Sequence, residues 1–170
     1  MALYPISYKS FEGNGYPGDL PFLVQAGGVG TIGANIPVVA TLGAPYVLAG
    51  ADGIPVVGTD YMVGITTTVS TDTVAADGTV NVLPLIPGTV YLMAPKSPST
   101  YFGASYLTVP SQATYNTQVG NRVVFDLTTS VWTIDSTDSA NNGLVVVYID
   151  ISQYPGMVGY MIRSGASLYA

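Results

Sequence analysis

The chain has 170 residues, a net charge of −6 and charged side chains at only 8% of positions, against about 25% in an ordinary soluble domain, and its length suits one full core. Its four cations, Lys9, Lys96, Arg122 and Arg163, are too few and too scattered to neutralise a phosphate backbone, which excludes nucleic acid as a partner. The absence of cysteine and histidine excludes disulfides, zinc–thiolate sites, and Cys-His or Ser-His-Asp catalysis.

Residues 1–30 read as an extended N-terminal arm. Tyr4-Pro5, the run from Gly13 to Gly18 and Leu20-Pro21 are turn and extended signals without periodicity. The arm nevertheless carries Tyr4, Tyr8, Phe11, Tyr16 and Phe22, which predicts that it lies on another surface rather than in solvent. The first residues hold neither a basic nor an apolar leader segment, so no secretory signal is expected. Residues 20–51 contain no charge, but Pro21, Pro37, Pro45 and several glycines would break a membrane-spanning helix, so arm and strands are expected there and no membrane contact.

Residues 31–170 predict one all-β domain, a single antiparallel β-barrel or sandwich. Apolar, β-branched runs at 36–42, 45–48, 54–57, 62–68, 79–85 and 89–93 are separated by turn signals such as Asp52-Gly53, Asp77-Gly78 and Pro87-Gly88. The stretch 49–93 reads as a strand meander whose apolar face needs a second layer of sheet. Residues 94–121 form an irregular excursion rich in Pro, Ser, Thr, Tyr and Gln, with one strand at 105–109. Strands at 122–128 and 131–135 flank Thr129-Ser130 as a hairpin, a polar loop spans 135–143, and strands at 144–151 and 157–163 close the chain. The segment 122–163 is expected to cover the meander and close the barrel. No window of eleven residues carries a helical stripe, and strong helix formers are scarce.

Three patterns resemble functional motifs. Gly28, Gly30 and Gly33 match G-x-G-x-x-G with Asp52 downstream, but Pro37 and Pro45 exclude the helix whose N-terminus would meet a pyrophosphate, so a hinge is the better reading. Asp135, Asp138, Asn141 and Asn142 offer hard oxygen ligands without calcium-loop spacing, and a turn explains them. Most of the nine aspartates fall at turns, and Glu12 is the single glutamate, which leaves no carboxylate pair placed for glycoside hydrolysis. No catalytic residue, cofactor or metal ligand is predicted, and the chain is expected not to be an enzyme. The tyrosines of the arm and the excursion, including Tyr101, Tyr106 and Tyr115, suit either an interface or ordinary sheet cover.

The string from Gly53 to Ser97, with G-x-P-V at Gly53, G-I-T-T at Gly64 and A-D-G-T-V from Ala76, resembles the body of tailed-bacteriophage capsid decoration, or cement, proteins. So does G-N-R-V-x-F-D-L-T from Gly120, followed by T-I-D-S-T-D-S from Thr133. The resemblance covers about residues 45–165 and implies a non-enzymatic structural protein of the virion. It implies a homotrimer on the outer surface of a head shell assembled in the host cytoplasm, with the major capsid protein as partner. Tyr4, Tyr8, Phe11, Tyr16, Phe22, Tyr101, Tyr106 and Tyr115 are then the expected contacts with the shell or between subunits. The alternative is a carbohydrate- or receptor-binding β module using the Tyr-rich excursion.

Overall fold

A computed structural model describes residues 7–10, 18–27, 31–40, 43–128, 130–136 and 139–169. Among these, eleven strands and two short helices follow in order: β1 (Ser7–Ser10), β2 (Leu20–Val24), β3 (Pro37–Ala40), β4 (Val47–Ala49), β5 (Met62–Thr66), β6 (Gly78–Pro84), β7 (Val90–Met93), α1 (Pro98–Phe102), α2 (Gln112–Asn116), β8 (Arg122–Thr128), β9 (Val131–Asp135), β10 (Leu144–Val146) and β11 (Val158–Ile162). The protein is all-β. Its strands form two antiparallel sheets, a six-stranded one in the order β1-β7-β11-β10-β8-β9 and a five-stranded one in the order β2-β6-β5-β3-β4.

Both sheets curl until their ends meet through a parallel bridge. In the first, β9 reaches the residues just past β7: Pro95 bridges Ile134, Ile134 N donates to Ala94 O at 3.0 Å, and Lys96 N donates to Ile134 O at 2.8 Å. In the second, Leu23 of β2 bridges Tyr46 at the entry to β4. The antiparallel barrel or sandwich expected from the sequence is thus built from two curled sheets, each closing on itself as a barrel-like ring.

One wall of the second ring, β5 and β6, packs against the first ring. All five residues of β5 are buried, because its two faces serve different cores: Met62 and Ile65 join the cluster of the first ring, Val63 that of the second. On β6, Leu83 lies in the first cluster and Val80 and Val82 in the second. This two-sided burial is why the run at 62–66 reads as continuously apolar instead of alternating. Gly64 sits in the wall so close to β6 that a Cβ there would run into the Leu83 carbonyl.

Several expectations need correcting. Residues 20–24, placed in the arm, pair with β6 along their whole length, from Leu20 opposite Val82 to Val24 opposite Gly78. Residues 7–10 pair with β7. The 49–93 segment is not one meander, since β5 and β6 belong to the second sheet and β7 to the first. Residues 54–57 form no ladder strand. Instead, Gly53 N donates to Phe125 O at 2.9 Å, Phe125 N to Ile54 O at 2.6 Å and Val57 N to Asn141 O at 2.7 Å, which stitches the exit of one ring to the side of the other. The Asp52-Gly53 turn is present, with Gly53 at φ 83°, and Asp52 Oδ1 accepts from Leu127 N at 2.8 Å. The long strand expected at 144–151 ends at Val146.

The excursion holds helices rather than a strand at 105–109. Pro98 opens α1, and Gly103 at φ 88° ends it. Ser111 caps α2 by accepting from Thr114 N at 3.1 Å, and Gln112 Nε2 reaches Asn116 Oδ1 one turn on at 2.8 Å. With five residues each, both helices are too short for any periodicity to register.

Candidate functional site

Two of the tyrosines expected at an interface belong to the interior. Tyr101 and Tyr115 are 1% and 0% exposed. The Tyr115 hydroxyl donates to Val147 O at 2.8 Å and accepts from Gly159 N at 2.9 Å, and its ring stacks on Phe102 with centroids 6.0 Å apart. Burial pushes the Tyr115 phenol up to about 12, and burial, with the nearby Asp135 charge, raises that of Tyr101. These rings fasten the two helices to the first ring and are covered by this chain itself. The expectation failed because tyrosine serves core and interface alike.

The other expected contacts are placed as follows. Tyr106 is half-buried and packs on the first core. Phe22 is half-buried against the second. The backbone of Tyr8 lies opposite Tyr91 in the β1–β7 pair. Tyr4, Phe11 and Tyr16 lie outside the described residues, as do Gly28 and Gly30 of the glycine-rich motif and Asp138 of the oxygen-rich loop.

The excursion presents apolar side chains that the sequence did not single out. Leu107 is 85% and Val109 70% exposed, and Tyr148 and Val119 are exposed as well. Hydrogen bonds place the strips that carry Val119 and Tyr148 side by side. Gln112 Nε2 donates to Ile149 O at 3.1 Å, Gly120 N to Val146 O at 2.9 Å, and Val146 N to Asn121 O at 2.9 Å. All 25 residues from 97 to 121 lack a charge. An uncharged stretch with protruding Leu and Val suits contact with another protein. Alternation at Leu107 and Val109 resembled a strand, which hid these positions.

The carboxylates are engaged in holding the fold. Asp77 Oδ1 accepts from Ala26 N and Oδ2 from the Tyr46 hydroxyl, both at 2.8 Å, which ties β2, β4 and β6 together where the second ring closes. The Ala26 N–H, then the Tyr46 bond, hold the Asp77 carboxyl below its ordinary 3.8, and the Tyr46 phenol is raised in return. In the first ring, Lys96 Nζ lies 2.6 Å from Asp126 Oδ2 and 3.5 Å from Asp135 Oδ2. The bond to Asp126 raises the lysine above its ordinary 10.5. Asp60 Oδ2 accepts from Val56 N at 2.9 Å, Asp19 Oδ2 from the Thr67 hydroxyl at 2.7 Å, and Asp150 Oδ1 from Ser152 N at 3.0 Å. The Ser70 hydroxyl donates to Asp72.

Among the described residues, no three His, Cys, Asp or Glu side chains are grouped to hold a metal ion. No described helix is long and apolar enough to cross a membrane. A cavity of about 270 Å³ lies where residues 31–36 and 49–50 of the second ring face the tip of the β8–β9 hairpin, lined by Ile32, Ile36, Leu127 and Trp132 with Thr31 and Ser130. Its lining carries no ionisable side chain. The chain matches no family model, no curated protein and no solved structure.

Proposed function

We propose that this is a structural protein of a bacteriophage virion, a decoration or cement protein that binds the outer surface of the head shell and stabilises it. The observation that carries this reading is the charge-free excursion at 97–121, which holds Leu107 and Val109 in solvent on the turn that joins two helices packed on the core. Both ends of that turn are held by the helices, and burying its apolar side chains against a partner would favour docking. The major capsid protein is the proposed partner, and self-association into a homotrimer places several such surfaces on one shell. Binding to the assembled shell and not to its dissociated subunits raises the temperature the shell withstands.

Emptied heads provide the test. The protein should co-sediment with them and raise their disruption temperature. Leu107→Asp with Val109→Asp should abolish co-sedimentation, while the fold changes by less than about 0.5 kcal/mol because both side chains are in solvent. Unchanged binding by that variant, or no binding by the native protein, rejects the reading. The carbohydrate-binding alternative relied on Tyr101, Tyr106 and Tyr115, of which Tyr101 and Tyr115 are buried. Retention on a glycan array, with no affinity for heads, would restore it.

A further inference from the structure

Strand β1 lies outside the ring that it decorates. Around the first ring each of β7, β11, β10, β8 and β9 pairs with the next, and β9 returns to residues 94–96. That return uses the same edge of β7 as β1 does. Ala94 O and Lys96 N point to Ile134, and in an extended strand residues two apart send their backbone groups the same way. Gly159, opposite Leu92, turns its N–H to the Tyr115 hydroxyl and its C=O to Val147 N, which leaves the Leu92 groups for Ser7. The ring is therefore complete without β1, which fills the part of the edge that β9 does not reach.

Among the described backbone pairings β1 meets β7, and its register slips between Tyr8 and Ser10. The next strand, β2, belongs to the other ring, and nine residues, 11–19, join the two. Such a connection reaches at most about 35 Å, enough to pass to a neighbouring subunit. An empty β7 edge would expose unpaired N–H and C=O groups, so the position must be filled, and an identical strand fills it with identical hydrogen bonds.

We propose that β1 is exchanged between copies of this chain, residues 7–10 of one subunit completing the β7 edge of the next. In a closed oligomer every subunit gives one strand and receives one, so no edge is left open. The proposal rests on the self-association proposed above and specifies what holds the copies together.

Engineered disulfides test it, because the native chain has no cysteine. Ser10 and Val90 are register partners, and directly opposed residues of an antiparallel pair lie close enough to be bridged. With Ser10→Cys and Val90→Cys in one chain, oxidation should give covalent multimers on denaturing, non-reducing gels. A band of monomer size joined by an internal disulfide, or no disulfide at all, overturns the exchange. In a second arm, Ser10→Cys and Val90→Cys are placed in separate, co-expressed chains. A disulfide-linked peptide pair joining position 10 of one chain to position 90 of the other supports the exchange, and its absence refutes it. Light scattering on the unmodified protein separates this from the parent reading. An oligomer with only internal disulfides removes the exchange and leaves self-association standing, whereas a monomer at micromolar concentration removes both.

Discussion

The first ring is filled by large aromatic side chains, with Phe125 edge-on to Tyr160 at a centroid distance of 5.5 Å and Tyr91 at 5.9 Å from Tyr160. The second ring is lined by Val24, Val38, Val47, Val63, Val80 and Val82, with Ile32. Each ring closes through a parallel bridge reinforced by an acidic side chain, but the partners differ in kind. Asp77 takes neutral donors, an amide and a phenol, whereas Asp126 and Asp135 take the Lys96 ammonium. In the second ring, β-branched side chains stiff at χ1 fill the interior from short strands. The first admits aromatic rings because it also carries α1 and α2, whose Phe102 and Tyr115 extend its core. The second core is thus built almost wholly from small β-branched side chains, and the first from aromatic rings supplied by strands and helices together.

The comparison can be broken most sharply at Phe125. Phe125→Ala removes a fully buried ring from the first core and should cost about 4 kcal/mol in urea unfolding. Gly64→Ala forces β5 against β6 and should cost about 3 kcal/mol. Trp132, the single tryptophan, reports the first ring, so its fluorescence and the far-UV circular dichroism should still unfold together. Two separated transitions would show that the wall does not couple the rings. Val80→Ala trims only the second core and should cost about 2 kcal/mol.

The smallest effects concern pH, to which the two seams respond through different groups. Asp77 binds its proton more weakly in the folded protein than in the unfolded chain, so its contribution is complete above the ordinary carboxylate value of 3.8 and is lost as pH falls below it. Lys96 holds its proton more tightly when folded, so its contribution is complete below 10.5 and is lost as pH rises through the raised value. Hydrogen exchange should show the second ring loosening in acid through Asp77, and both seams loosening in alkali, the second as the Tyr46 phenol ionises and the first as Lys96 loses its proton. Asp77→Asn should weaken both responses of the second ring and leave the alkaline response of the first, which Lys96→Met should remove. A shared response to either variant would contradict the assignment of one seam to each ring.

Strand content was legible along most of the chain, because β-branched runs bounded by Asp-Gly and Pro-Gly turns leave a helix no room. The hairpin is the clearest case. The alternation of Val123, Phe125 and Leu127 against Val124 and Asp126 places β8 and β9 within the observed limits, Arg122–Thr128 and Val131–Asp135. The candidate surface was far less legible. Tyr101 and Leu107 stand in one stretch of similar composition, yet one is buried and the other is 85% exposed. Burial there follows from how two short helices sit on the ring, which no local pattern encodes.

The sequence by itself determined the all-β class, the main turn positions and the absence of thiol and imidazole side chains, since these depend on residue type and short spacing. Only the tertiary structure decided how the strands divide between two curled sheets and that β5 serves two cores. It alone decided that residues 20–24 are a strand of the second ring and that the buried tyrosines leave the outer surface to Leu107 and Val109. The physical reason is that strand partners are chosen by contacts far apart in the chain. A strand carries the same alternation whichever neighbour it finds, and both closing bridges, Leu23 with Tyr46 and Pro95 with Ile134, join segments that share no local signal.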